Sequence, residues 1–208
     1  MSSRKPLIKK YFEQELPETL PDYQVLHLLL FFIDERPGVL VMDPDEDDRK
    51  ILQEFCDDFS FPYMYSEDKE FSRGDLEMGG FFIARNRERI EELEKSEGEF
   101  YGFSDSAVGE FLGYPESAIE YFVEHVGSGT IESTAKDKIE DMLGDEIPFS
   151  DARYLELVPY VPRPDVDEIK EAVNKGKRKE AAIVDFDRVH DFHVGKTILS
   201  QVFSESVY

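Results

Sequence analysis

The stretch Gly38-Val-Leu-Val-Met-Asp43 limits the fold more than any other part of the sequence. It is a short, unbroken apolar run rich in branched side chains, set off by Arg36-Pro37 before it and Pro44 after it. Such a run suits a strand covered on both faces, so the chain has to supply layers on either side of it. Val25 to Ile33, just upstream, is the most apolar segment of the chain and reads as a buried helix over about 22–35. It falls well short of the roughly 20 apolar residues needed to cross a bilayer.

Downstream, Asp45 opens a helix over about 45–59 with acids in its first turn, where the helix dipole favours them. Phe61–Tyr65 and Gly80–Ala84 read as two more strands, and Asn86 caps a charged helix over about 87–97. Short helices follow. One is capped by Ser104 and closed by Gly113, one is opened by Pro115, and one spans about 131–143. Tyr154–Val161 has the look of a fourth strand, Asp165 caps a helix to about Asn174, and residues 180–203 are apolar at helical spacing. The expectation is an α+β or α/β fold: a small mixed sheet packed by about seven helices. Residues 6–208 would form one globular domain, with 101–145 a helical subdomain and 1–5 a loose tail. Leu28, Leu29, Phe32, Val39, Val41, Leu52, Phe55, Phe82, Ile83, Phe111, Ile119 and Phe122 are expected in the core.

Charge narrows the function classes. The net charge is −23, yet 40% of residues are hydrophobic and 17 are Phe, which rules out a disordered acidic tail. So negative a surface repels phosphate backbones, which disfavours general nucleic-acid binding. It suits a basic protein partner, self-association, or a cytoplasm rich in salt. The start of the chain lacks the apolar stretch of a secretion signal, and the expected location is cytoplasmic. Lys175, Lys177, Arg178 and Lys179 form a small basic cluster that reads as a solvated helix end. The lone cysteine, Cys56, sits at core spacing with Leu52, Phe55 and Phe59, as a packed thiol would.

Two groups of residues have the composition of metal sites. Asp43, Asp45 and Asp47 cluster at the carboxyl end of the first strand, and oxygen ligands there suit a hard divalent cation such as Mg²⁺ or Ca²⁺. Glu54 stands at the twelfth position of a calcium loop, but Asp48 occupies the sixth, where the sharp turn needs glycine. Asp187, His190 and His193 recur every third residue, with Asp185 and Asp191 beside them, and two imidazoles with a carboxylate suit Zn²⁺ or Fe²⁺. The plainer accounts are an acidic helix start and histidines paired with carboxylates. Gly195-Lys196-Thr197 lacks the upstream glycine and strand of a phosphate-binding loop.

The segment Phe103-Ser-Asp-Ser-Ala-Val-Gly109-Glu-Phe-Leu-Gly113-Tyr-Pro115-Glu-Ser-Ala-Ile-Glu-Tyr-Phe122 resembles an uncharacterised domain family found largely in archaea. Gly80-Phe-Phe-Ile-Ala-Arg-Asn86 resembles the lead-in to that motif. In the family, a Gly-x-Phe-Leu-Gly-Tyr-Pro turn is followed by a Cys-Cys pair. Here Ser117 and Ala118 stand in its place, and any thiol or metal role of the pair is lost. The resemblance implies no activity. Tyr114 and Ser117 are the candidate binding residues of the turn, and its structural reading is a helix stop at Gly113 with positive φ, Tyr114 packing on Phe111 or the following helix. These features together favour a non-catalytic binding or regulatory module. The alternative is a metal-dependent enzyme acting on a small polar or phosphate-bearing substrate.

Overall fold

A computed structural model of the chain describes residues 4–73, 76–126, 138–144 and 146–205. The chain divides into two compact units, Met1–Gly113 and Tyr114–Tyr208.

The first unit opens with α1 (Lys5–Lys9), a π-helical turn (Lys10–Glu15) and α2 (Leu16–Thr19), followed by α3 (Asp22–Phe32). Next come β1 (Gly38–Met42), α4 (Glu46–Phe59), β2 (Tyr63–Arg73), β3 (Leu76–Ala84), α5 (Arg87–Glu94) and α6 (Asp105–Leu112). The sheet order is β1-β3-β2. Both pairings are antiparallel, with Val41 opposite Phe81 and Tyr63 opposite Ile83. The sheet is therefore antiparallel throughout rather than mixed, and the fold is α+β. β2 and β3 both extend beyond 61–65 and 80–84 into the polar stretch between them, pairing as far as Arg73 with Leu76.

The core of this unit is aromatic. Tyr11, Phe12, Phe31 and Phe55 are fully buried. Tyr11 and Phe12 both meet Phe55 edge to face, as the ring quadrupole favours, at 5.3 Å and 82° and at 5.8 Å and 89°, and Phe31 meets Phe61 at 4.9 Å. Cys56 is buried among them, and that burial pushes its thiol pKa far above the ordinary value, so it remains a packed thiol. Leu28, Leu29, Val39, Val41, Leu52, Phe82, Ile83 and Phe111 are buried as expected, while Phe32 is only half-buried.

The second unit contains α7 (Glu116–Val126), a helical stretch at 138–142, α8 (Phe149–Ala152) running into a 3₁₀ turn (Arg153–Leu157), α9 (Val166–His190) and α10 (Val194–Glu205). The remainder of the helix expected at 131–143 lies outside the described residues. The strand expected at 154–161 is a 3₁₀ turn that leads into an irregular segment. Ala152, Leu155 and Val158 recur every third residue, the 3₁₀ period, and all three enter one apolar cluster with Ile169, Ala172 and Val173. Ile119 is buried as expected. Phe122 is 41% exposed and lies outside the core, a correction to the spacing argument.

α9 also runs well past Asn174. The basic cluster is therefore mid-helix rather than a helix end, and its lysines reach back over the 3₁₀ turn. Lys177 pairs with Asp151 at 2.7 Å, and Lys179 donates to the Leu157 carbonyl at 3.3 Å. Gly176 is needed there because a side chain would strike the Tyr154 carbonyl. Among the described residues no helix is long and apolar enough to cross a membrane.

Candidate functional site

The acidic run after β1 is built as a turn and a helix cap. Asp43 has φ 48°, a left-handed conformation that a short polar residue tolerates. Its N–H donates to the Gly79 carbonyl at 2.7 Å, and its Oδ1 accepts from the Gly79 N–H at 3.0 Å. This closes the end of the sheet. Asp45 and Asp48 form a reciprocal capping box: Asp45 Oδ1 accepts the Asp48 N–H at 2.9 Å, and Asp48 Oδ2 accepts the Asp45 N–H at 3.2 Å. Asp47 is exposed in the first turn of α4. Glu54 turns instead toward Lys10, 3.5 Å away.

The Asp187 region is a corner between two helices. α9 ends at His190, and Asp191, at φ 55°, turns the chain into α10. Asp187 is almost fully buried. Its Oδ1 accepts the Gly195 N–H at 3.0 Å and its Oδ2 the Lys196 N–H at 2.9 Å. The carboxylate therefore caps α10, placing negative charge at the positive end of that helix. Gly195 permits the close approach, since any side chain there would meet Ile183. His190 lies beside Phe186, 4.9 Å between ring centroids, and His193 is exposed. Asp185 pairs with Arg188 at 2.9 Å. Among the described residues no three His, Cys, Asp or Glu side chains gather into a group able to hold a metal.

At the motif turn Gly113 has φ 76°, as its place at the end of α6 requires, and a side chain there would come within 2.6 Å of Pro37. Tyr114 meets Tyr160, 5.5 Å between centroids, and Ser117 Oγ donates to Glu168 Oε2 at 2.8 Å. Both residues make contacts inside the second unit.

Sequence reasoning missed a cleft in the first unit. It has a volume of about 320 Å³ and is lined by Asp34, Glu35, Arg36, Pro37, Arg85, Asn86 and Arg89. Strand register assembles it. Gly38 pairs with Ala84, so the residues entering β1 and those leaving β3 lie side by side. That pairing brings Arg36-Pro37 against Arg85-Asn86, and Arg89 follows in the first turn of α5.

Each arginine has a different setting. Arg36 is buried at 3% exposure. The Arg85 guanidinium lies 4.4 Å from the Phe31 ring centroid and 5.5 Å from that of Phe61, and its Nε is 3.3 Å from Asp34 Oδ1. Nε and Nη2 are both buried, and neither has a hydrogen-bond partner among the described residues. Burial pulls its pKa below the ordinary value, and the Asp34 carboxylate opposes that shift. Arg89 donates from Nε to the Phe111 carbonyl at 3.0 Å and from Nη2 to the Glu110 carbonyl at 2.6 Å, which fastens the end of α6. Asn86 Oδ1 accepts the Arg89 N–H at 3.0 Å as the cap of α5. The only sequence signal was the crowding of Arg85, Arg87 and Arg89 into five residues of an acidic chain.

Comparison with protein-family models, with curated proteins and with solved structures found no match.

Proposed function

We propose that this chain is a non-catalytic binding or regulatory module that takes a small ligand in the arginine-lined cleft of its first unit. One observation carries the reading: three arginines line one cleft in a chain of net charge −23. Guanidinium keeps its proton across the physiological range, so it recognises and orients ligands but does not shuttle protons. The candidate metal carboxylates support the same reading, because Asp43, Asp45 and Asp187 each accept a backbone N–H as a turn or cap. The reading includes a cytoplasmic, salt-rich setting and an acidic surface open to a basic partner or a second copy, both supported by the charge.

The test is elemental analysis of untagged protein together with amide chemical-shift mapping of a fragment mixture. Saturable shifts at Asn86 and Arg89, with metal well below one equivalent, are the expected result. A stoichiometric divalent ion would overturn the reading in favour of a metal-dependent enzyme.

A further inference from the structure

We infer that the cleft takes the oxyanion group of a small ligand, a phosphate or a carboxylate, on Arg85, and that Asp34 is the internal group it displaces. The inference rests on the binding reading above and names the chemistry of the ligand.

Arg85 is held ready for such a group. Its guanidinium carbon lies over the Phe31 and Phe61 rings, a contact that holds the group without using its donors. Nε and Nη2 are both buried with no hydrogen-bond partner among the described residues, a costly state for charged donors unless an acceptor arrives. An anion that took the place of the exposed Asp34 side chain beside these nitrogens would form charge-assisted bonds, and the fork geometry of guanidinium matches the paired oxygens of carboxylate and phosphate.

The cleft already contains a carboxylate against this fork. Asp34 Oδ1 stands 3.3 Å from Arg85 Nε, with the Asp34 side chain 84% exposed. A carboxylate so open to water gives up the contact cheaply, because hydration replaces what it loses. Asp34 also sits at φ 72°, in the turn by which the chain leaves α3. The turn rather than the ion pair sets its backbone, so the side chain can leave without moving the wall of the cleft.

Of the rest of the lining, Arg36 and Arg89 outweigh the one further carboxylate, Glu35, and the N-terminus of α5 opens at Asn86, where the helix dipole favours an anion. A volume of 320 Å³ falls at the lower end of small-molecule sites, which suits a metabolite-sized ligand rather than a polymer.

The experiment is amide chemical-shift titration of the full chain at constant ionic strength. Inorganic phosphate and citrate serve as separate probes, which distinguishes the phosphate source from the carboxylate source. At least one of them should shift the Asn86 and Arg89 amides saturably. Asp34→Asn, which keeps a residue tolerant of the left-handed turn, should tighten that binding about threefold by removing the competitor. Arg85→Lys should weaken it about tenfold or more by removing the fork. If Arg85→Lys loses its dispersed spectrum, Asp34→Asn alone decides the point, and unchanged affinity in that variant overturns the inference. If both oxyanions fail while a neutral or cationic fragment shifts the same amides saturably, the oxyanion inference falls and the binding reading stands. If no probe shifts them, both fall.

Discussion

The Asp187 corner and the Arg85 cleft each bury part of a charged side chain, and they do opposite things with it. At the corner both carboxylate oxygens accept backbone N–H groups and a glycine closes the remaining space. At the cleft two guanidinium nitrogens are buried without a hydrogen-bond partner among the described residues, and the carboxylate beside one of them is exposed. A buried charge whose hydrogen bonds are complete is a structural part. One with spare donors beside an open volume calls for an explanation, and the proposed ligand supplies it.

The largest expected effect is at the corner. Asp187→Ala leaves two helix-start N–H groups without their acceptor and should cost about 2–4 kcal/mol, read by urea unfolding of the second unit. A loss below about 0.5 kcal/mol would break the comparison, since the carboxylate would then be dispensable to the fold. On the cleft side, Gly113→Val forces a branched residue to positive φ against Pro37 of the cleft wall and should cost about 1–2 kcal/mol or more.

Salt should separate the two regions. Melting from low to molar KCl should raise the midpoint by several degrees, as counterions relieve self-repulsion among the carboxylates. The same salt should weaken oxyanion binding at the cleft, because screening and chloride act on Arg85 as well. A flat or falling midpoint would remove the charge argument for the fold.

The smallest effect expected is at Asp48, an incompletely satisfied relative of the Asp187 cap. Burial first, then the neighbouring Asp45 and Asp47 charges, hold its carboxyl above the usual range, against the lowering effect of the Asp45 N–H. A carboxyl whose pKa rises on folding loses stabilisation as pH climbs through that folded value. Asp48→Asn keeps an acceptor for the Asp45 N–H and should raise the neutral-pH midpoint by roughly 1 °C. The gain should vanish in acid, where the native carboxyl is already protonated.

What could be read from the sequence followed period and punctuation. β1, α3, α4, α6 and Gly113 were legible because apolar spacing, caps and a required left-handed residue all agreed there. β2 and β3 were read short because Ser66 to Arg73 carries no apolar alternation, and antiparallel pairing rather than composition makes it a strand. The 3₁₀ turn at Arg153–Leu157 reads as a strand because Leu155 and Leu157 fit a period of two, while Leu155 and Val158 fit the period of three that the structure adopts. Helical spacing alone cannot reveal that the Asp187 carboxylate reaches forward to cap the next helix. The cleft was hidden for a different reason. Arg36 and Arg85 are far apart in sequence, and only the pairing of Gly38 with Ala84 brings them together.

The π-helical turn at Lys10–Glu15 gives the amino-terminal region an unusual tolerance. There the Leu16 N–H bonds to the Tyr11 carbonyl five residues back rather than four. In an ordinary α-helix, each residue gained or lost rotates everything beyond it by about 100° and turns a buried face to water. A wide turn stores one surplus residue without that rotation. Deleting one exposed residue from this turn, such as Glu13, should let it relax to α-helical winding, with Tyr11 still donating to Asp58 and Leu16 still buried. The same deletion inside α3, buried nearly all round, has no slack to draw on. The first helical stretch can therefore change length by one residue, and the helix that follows it cannot.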